Sequence, residues 1–225
     1  PFERDEGVYA HFGELILEGK VPYQDFYDTK PAGLFYTYAA IMAVFGKTVG
    51  GLHFAFLLIN LATILLVFCL GKWLMDGLAG IAAATAFAFL SLLPHAGGLS
   101  VLSEHLVIFF ACGGLLALLK AVEKDKRYLF FLSGLLLGLS IFVKQNGIFF
   151  IAVGGSWWVY VAIRERYWGW LTFASRSIAM AIGTLLPSLM VFAYLASNGL
   201  TDEFLYWNFE YQATYIHDVG WSEAM

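Results

Sequence analysis

Residues 52–71 read LHFAFLLINLATILLVFCLG, an apolar run without a single charged side chain. A helix needs about 20 such residues to cross the hydrocarbon core of a bilayer, so this stretch predicts a transmembrane span. Five more apolar runs follow, at approximately 78–93, 102–119, 128–143, 147–163 and 170–195. The runs at 78–93 and 128–143 are short for a crossing and call for tilt or local thinning of the bilayer. Composition points the same way. The chain is 60% hydrophobic and 13% charged, where a soluble domain carries roughly 25% charge. A larger core does not explain the deficit, because surface grows with size and stays wet. Twelve Tyr and seven Trp suit belts at the membrane interfaces. The expected fold is all-α, a polytopic transmembrane helical bundle.

The connections give the chain a sidedness. Lys72, Lys120, Lys124, Lys126, Arg127, Arg164, Arg166 and Arg176 fall in alternate connections, eight of the 13 basic residues. The positive-inside rule makes those connections cytoplasmic. Residues 1–51, 94–104, 144–146 and 196–225 then lie outside. Thirteen of the 17 acids fall in these outer segments, an asymmetry that the rule does not use. One membrane domain is expected over 1–225, with an extracytoplasmic loop at 1–51, about six spans at 52–195 and the start of another outer segment at 196–225. Pro1 stands where a complete chain would have Met, and 1–51 must be translocated. The sequence is therefore read as a piece of a longer protein with a span before it.

Within the outer loop, Val8, Phe12, Leu15 and Ile16 recur at helical spacing. That pattern predicts an amphipathic interfacial helix, with Asp5 at the N-cap and Gly19 ending it. A polar, aromatic loop, Val21 to Asp28, follows. Pro31 suits the first turn of a second helix, Ala32 to Phe45, stopped by Gly46. At about 14–15 residues this helix is too short to span and is placed as interfacial or partly inserted.

Four polar clusters lie in the outer segments. Asp5 and Glu6 are adjacent carboxylates at a helix start. A partly desolvated carboxylate can serve as general base for a hydroxyl or amine; a helix cap beside a solvated acid is the plainer use. Asp28-Thr29-Lys30-Pro31 sets a lysine before a helix N-terminus. Lysine serves phosphates as a point charge and the helix dipole adds to it; a snorkelling interfacial lysine is the alternative. Ser103-Glu104-His105 places an acid at the edge of a span, where it is costly. Asp, Glu and His together also suit a divalent metal ion, although His11, His53, His95, His105 and His217 show no HExxH spacing. His53 and His95 read as packing residues. Lys144-Gln145-Asn146-Gly147 reads as an outer hairpin whose lysine can face an anion. Cys69 and Cys112 sit inside apolar runs and read as core. There is no phosphate loop, no GxGxxG and no GxSxG, and no basic, aromatic-interleaved groove for nucleic acid.

Taken together these segments resemble the membrane-embedded GT-C glycosyltransferases, in the protein O-mannosyltransferase-like and aminoarabinose-transferase-like branch that uses polyprenyl-phosphate sugars. The likeness is carried by Arg4-Asp5-Glu6-Gly7-Val8-Tyr9-Ala10, Gly19-Lys20-Val21-Pro22-Tyr23 and Asp28-Thr29-Lys30-Pro31-Ala32-Gly33-Leu34-Phe35-Tyr36. Ser103-Glu104-His105 and Gly138-Leu139-Ser140 through Gly147 extend it. The resemblance implies a polyprenyl-phosphate sugar donor in the bilayer, an extracytoplasmic acceptor and an inverting transfer. It implies that Asp5, with Glu6 and Glu104, forms the acidic catalytic set, and that Lys30 contacts the donor phosphate. Asp28, Lys144, Tyr9 and His105 are placed with the substrate-binding residues. Relatives often read Lys-Pro-Pro where this chain has Lys30-Pro31-Ala32. Some place a metal-binding acid directly before the lysine, where Thr29 stands, so the metal is left undetermined. The rival class is a lipid transporter or flippase, which calls for polar residues near the midplane. The span centres hold few, chiefly Asn60, Thr63 and Thr85.

Overall fold

The computed structural model describes residues 4–93, 100–165, 169–211 and 213–214. His95 and His217 lie outside these residues. Helices α1 (Arg4–Leu17) and α2 (Ala32–Phe45) come first. Then follow α3 (Val49–Leu74), α4 (Gly77–Leu90), α5 (Ser103–Lys124) and α6 (Arg127–Val143). A single 3-10 turn, Gln145–Gly147, leads into α7 (Ile148–Glu165), which is followed by α8 (Trp170–Ser197). The short α9 (Thr201–Leu205) runs on into a π-turn, Tyr206–Glu210. Every apolar run of the sequence is a helix. Those built around α3, α5, α7 and α8 are long and apolar enough to cross a bilayer. The all-α bundle is an integral membrane protein.

Helix α6 holds the bundle together, packed between α5 and α8. A Cβ added to Gly138 would lie 2.3 Å from the Thr184 carbonyl oxygen, and one on Gly134 2.0 Å from that of Met180. Only glycine lets these backbones come so close, the usual device of membrane helix pairs that lack a hydrophobic driving force. Ser133 Oγ donates to the Gly114 carbonyl at 2.8 Å, tying α6 to α5. At the α5–α6 corner Arg176 pairs with Asp125 and lies 5.8 Å above the Phe130 ring. Arg176 thus stands inside α8 and is buried, not in the connection where its charge suggested. A guanidinium there is tolerable because it is paired.

Helix α2 has the expected bounds, set by Pro31 and Gly46. Its inward face is deeply buried against the bundle, with Leu34, Phe35 and Tyr38 fully enclosed. Helix α1 begins by Arg4, so Asp5 lies in its first turn and is not an N-cap. It ends where Gly19 takes φ +84; Lys20 N–H reaches the Leu15 carbonyl and Gly19 N–H that of Ile16, both at 3.0 Å. Of the expected apolar positions, Phe12, Leu15 and Ile16 pack against the core. Glu6, Tyr9, Ala10 and Gly13 face inward, while Val8 is exposed. The inward face meets α2, where Gly13 sits against the backbone of Tyr38 and Ala39.

Candidate functional site

The N-termini of α2, α3, α5 and α7 and the C-termini of α6 and α8 share the end of the bundle that carries α1. The loop after α1 runs across this end, and its most constrained point is Lys30. The Asp28 carboxylate accepts from Lys30 N–H at 3.1 Å and from Thr29 Oγ1 at 3.2 Å, an Asx turn of the kind aspartate favours. Gln145 Nε2 donates to the Thr29 carbonyl at 2.8 Å. Tyr23 donates its hydroxyl to the Lys30 carbonyl at 3.4 Å and receives Asn208 Nδ2 at 2.8 Å. Burial pushes the Tyr23 phenol up to about 12, with the Asn208 hydrogen bond pulling the other way. Three elements therefore hold the Lys30 backbone. No ion pair ties its half-buried ammonium to any of the described residues. Beside it opens a mostly apolar cavity of about 370 Å³. Pro31, Gly33, Phe142, Gln145, Val191 and Asn208 are among its walls.

Opposite, the Lys144 ammonium is paired with Glu104, whose second oxygen accepts from Ser103 Oγ at 3.1 Å. Lys144 stands at the α6–α7 corner where the sequence placed a turn, and Glu104 in the first turn of α5. Tyr9 on α1 is 4% exposed. Its ring meets that of Tyr38 edge-on at 5.7 Å. Burial raises the Tyr9 phenol well above the usual tyrosine range, and the negative charges of Asp5, Asp28 and Glu104 raise it further. A hydrogen bond with Ser103 acts in the opposite sense. This phenol is within electrostatic reach of carboxylates from three separate segments, and it stays protonated at neutral pH.

Asp5, Asp28 and Glu104 are thus all within electrostatic range of Tyr9, Lys144 pairs with Glu104, and Asp28 and Gln145 hold the backbone at Thr29 and Lys30. Two of the expected site residues go elsewhere. Glu6 is 1% exposed and points away from Asp5, to His53 on α3, with Nε2 and Oε1 2.5 Å apart. His105 lines a second cleft of about 270 Å³ together with His53, Asn60 and Val101. Adjacent helical residues diverge by about 100°, so Glu104 and His105 cannot aim at one point. Among the described residues no three His, Cys, Asp or Glu side chains are grouped to hold a metal ion.

Sequence reasoning misses three contributors. Gln145 is visible only as part of a polar break. Asn208 carries no local signal, because its partner Tyr23 is 185 positions away. His53 reads as packing in an apolar run, yet it faces a carboxylate. The family described as dolichyl-phosphate-mannose-protein mannosyltransferase matches residues 29–194. No curated protein matches the chain, and no solved structure does.

Proposed function

Because the chain belongs to the dolichyl-phosphate-mannose-protein mannosyltransferase family and is a membrane glycosyltransferase, we propose that it moves a sugar from a polyprenyl-phosphate donor to an acceptor on the extracytoplasmic face. The observation that carries this reading is the loop that presents Lys30, held by Asp28, Gln145 and Tyr23, together with the Lys144–Glu104 pair and the carboxylates of Asp5, Asp28 and Glu104 within electrostatic range of Tyr9.

In this reading the donor phosphate rests against Lys30, whose charge is not taken up by a carboxylate among the described residues. The first part of its hydrocarbon tail lies in the apolar cavity beside Pro31. Asp5, exposed in the first turn of α1, accepts the proton of the acceptor hydroxyl or amine as that atom attacks the anomeric carbon. The new bond to the sugar forms on the face opposite the phosphate, so configuration inverts. The bond from the anomeric carbon to the phosphate oxygen breaks, and its electron pair leaves with polyprenyl phosphate. Lys30 stabilises the charge gathering on that oxygen, and Lys144, shared with Glu104, adds to it. Glu104 in turn keeps Lys144 from closing on the phosphate permanently. Tyr9, held protonated, supplies a donor rather than a fourth negative charge. His105 lies toward the second cleft.

Positioning and electrostatic stabilisation are the main sources of rate here. General-base catalysis contributes about 10²–10⁴-fold. Removing one preorganised charge-stabilising group costs about 10²–10³-fold. Asp5→Ala and Lys30→Ala, each purified and assayed with a polyprenyl-phosphate sugar, should fall by such factors while remaining folded. Wild-type rates in both folded variants would sink the assignment.

A further inference from the structure

Glu6 is the one acid among the described residues that is fully removed from solvent, at 1% exposure. A buried carboxylate is costly unless it is paired and hydrogen-bonded. Its partner, His53, belongs to α3, a helix long enough to cross the membrane. Successive residues of a helix point about 100° apart, so a Glu6 pinned inward turns Asp5 outward. Asp5 is exposed, as that geometry requires. Tyr9 stands three residues after Glu6, on the same face of the helix, and is likewise enclosed.

What remains of the inward face of α1 is apolar or small: Ala10, Phe12, Gly13 and Ile16. Gly13 lies against the backbone of Tyr38 and Ala39 and Tyr9 is hydrogen-bonded with Ser103, so the middle of α1 is held by close packing and by a polar contact. The Glu6–His53 hydrogen bond is the directional contact of the first turn, one residue from Asp5. We infer that His53 is a positioning residue, which acts through Glu6 to set the first turn of α1 and thereby aim Asp5 at the site. The activity arm of the test rests on the glycosyl-transfer reading; the labelling arm does not.

Misplacing a reacting group by 1 Å can cost about 10²-fold, so His53→Ala should lower kcat by at least about tenfold. The donor KM should stay near the wild-type value, because Lys30 is held by other elements. His53→Gln, whose amide can donate to Glu6 in place of Nε2, should recover most of the loss. Glu6→Gln keeps the acceptor oxygen and should also stay active. The labelling arm uses a chain with Cys69 and Cys112 replaced by serine. A cysteine at position 10, where Ala10 is 5% exposed, should react with a maleimide several-fold faster in the His53→Ala background.

An unchanged kcat in folded His53→Ala would overturn the inference, and so would unchanged labelling. A His53→Gln variant as impaired as His53→Ala would assign the imidazole some other role and overturn it equally. Should His53→Ala not accumulate, the Gln variants decide: a folded Glu6→Gln as inactive as Asp5→Ala would make Glu6 a charge that chemistry needs, and would refute the positioning role. If the wild type transfers no sugar, the function assigned above fails, while the labelling rates still decide the role of His53.

Discussion

Lys30 is presented by a turn, and the turn can be broken without touching the lysine. Asp28→Ala removes two accepted hydrogen bonds, from Lys30 N–H at 3.1 Å and Thr29 Oγ1 at 3.2 Å. Hydrogen bonds to a charged group are worth about 1.5–3 kcal/mol each. These two are long and the carboxylate is half exposed, so solvent reduces them to about 1–2 kcal/mol together. The Gln145 and Tyr23 contacts survive the change, so the loop keeps its course while Thr29 and Lys30 gain freedom. Ordering them again on binding costs that same 1–2 kcal/mol, or about 5–30-fold at 1.4 kcal/mol per decade. Lys30 is proposed to hold the phosphate before and during transfer, so most of the loss should appear in the donor KM and little in kcat. Asp28→Asn keeps an acceptor oxygen in place and should stay within about threefold of wild type, less than 1 kcal/mol on that scale. The assay is sugar transfer with the donor titrated, alongside thermal unfolding to show that each variant is folded. A folded Asp28→Ala with an unchanged donor KM would refute the claim that this turn presents Lys30.

Two further outcomes follow from the geometry. Gly138→Leu drives a side chain into the Thr184 backbone, and the overpacking should cost about 1–3 kcal/mol or more, read as a lower midpoint of thermal unfolding or loss of folded protein; a midpoint unmoved would mean that α6 and α8 are not in backbone contact. For Tyr9 the folded phenol is raised above its unfolded value, so the unfolded chain loses its proton first as pH rises. Stability from this group is complete below about pH 10, the ordinary tyrosine value, and falls above it. Unfolding midpoints followed from pH 9 to pH 11 should therefore drop less steeply in Tyr9→Phe than in wild type, and an identical slope would mean the phenol is not buried among those charges.

Much of the scaffold is written locally. The apolar runs become α3 to α8, and α2 takes its bounds from Pro31 and Gly46. The segments around Asp5, Asp28, Glu104 and Lys144 are legible as candidate sites because polar residues at the edge of hydrocarbon need a reason to be there. The apolar stripe of α1 is legible at Phe12, Leu15 and Ile16, but the burial of Glu6 is not: it reads as a cap or a solvated acid, and its partner His53 is 47 residues away. The same holds for Arg176, which looks like a loop charge until Asp125 is seen beside it. Periodicity reports which side of a helix is greasy. It does not report a buried charge whose partner lies on another helix.

Helix α6 also acts as a ruler. Its position is read off at Gly134 and Gly138, where it touches α8 backbone to backbone. Lys144 and Gln145 stand directly beyond its last residue, Val143. One residue inserted between Gly138 and Val143 would advance that end by about 1.5 Å and swing it through about 100°. Lys144 would turn away from Glu104, and Gln145 would lose the Thr29 carbonyl. The distance along α6 from its glycines to its end is thus as much a part of the site as the lysine itself, and a change of length there should be as damaging as a change of residue.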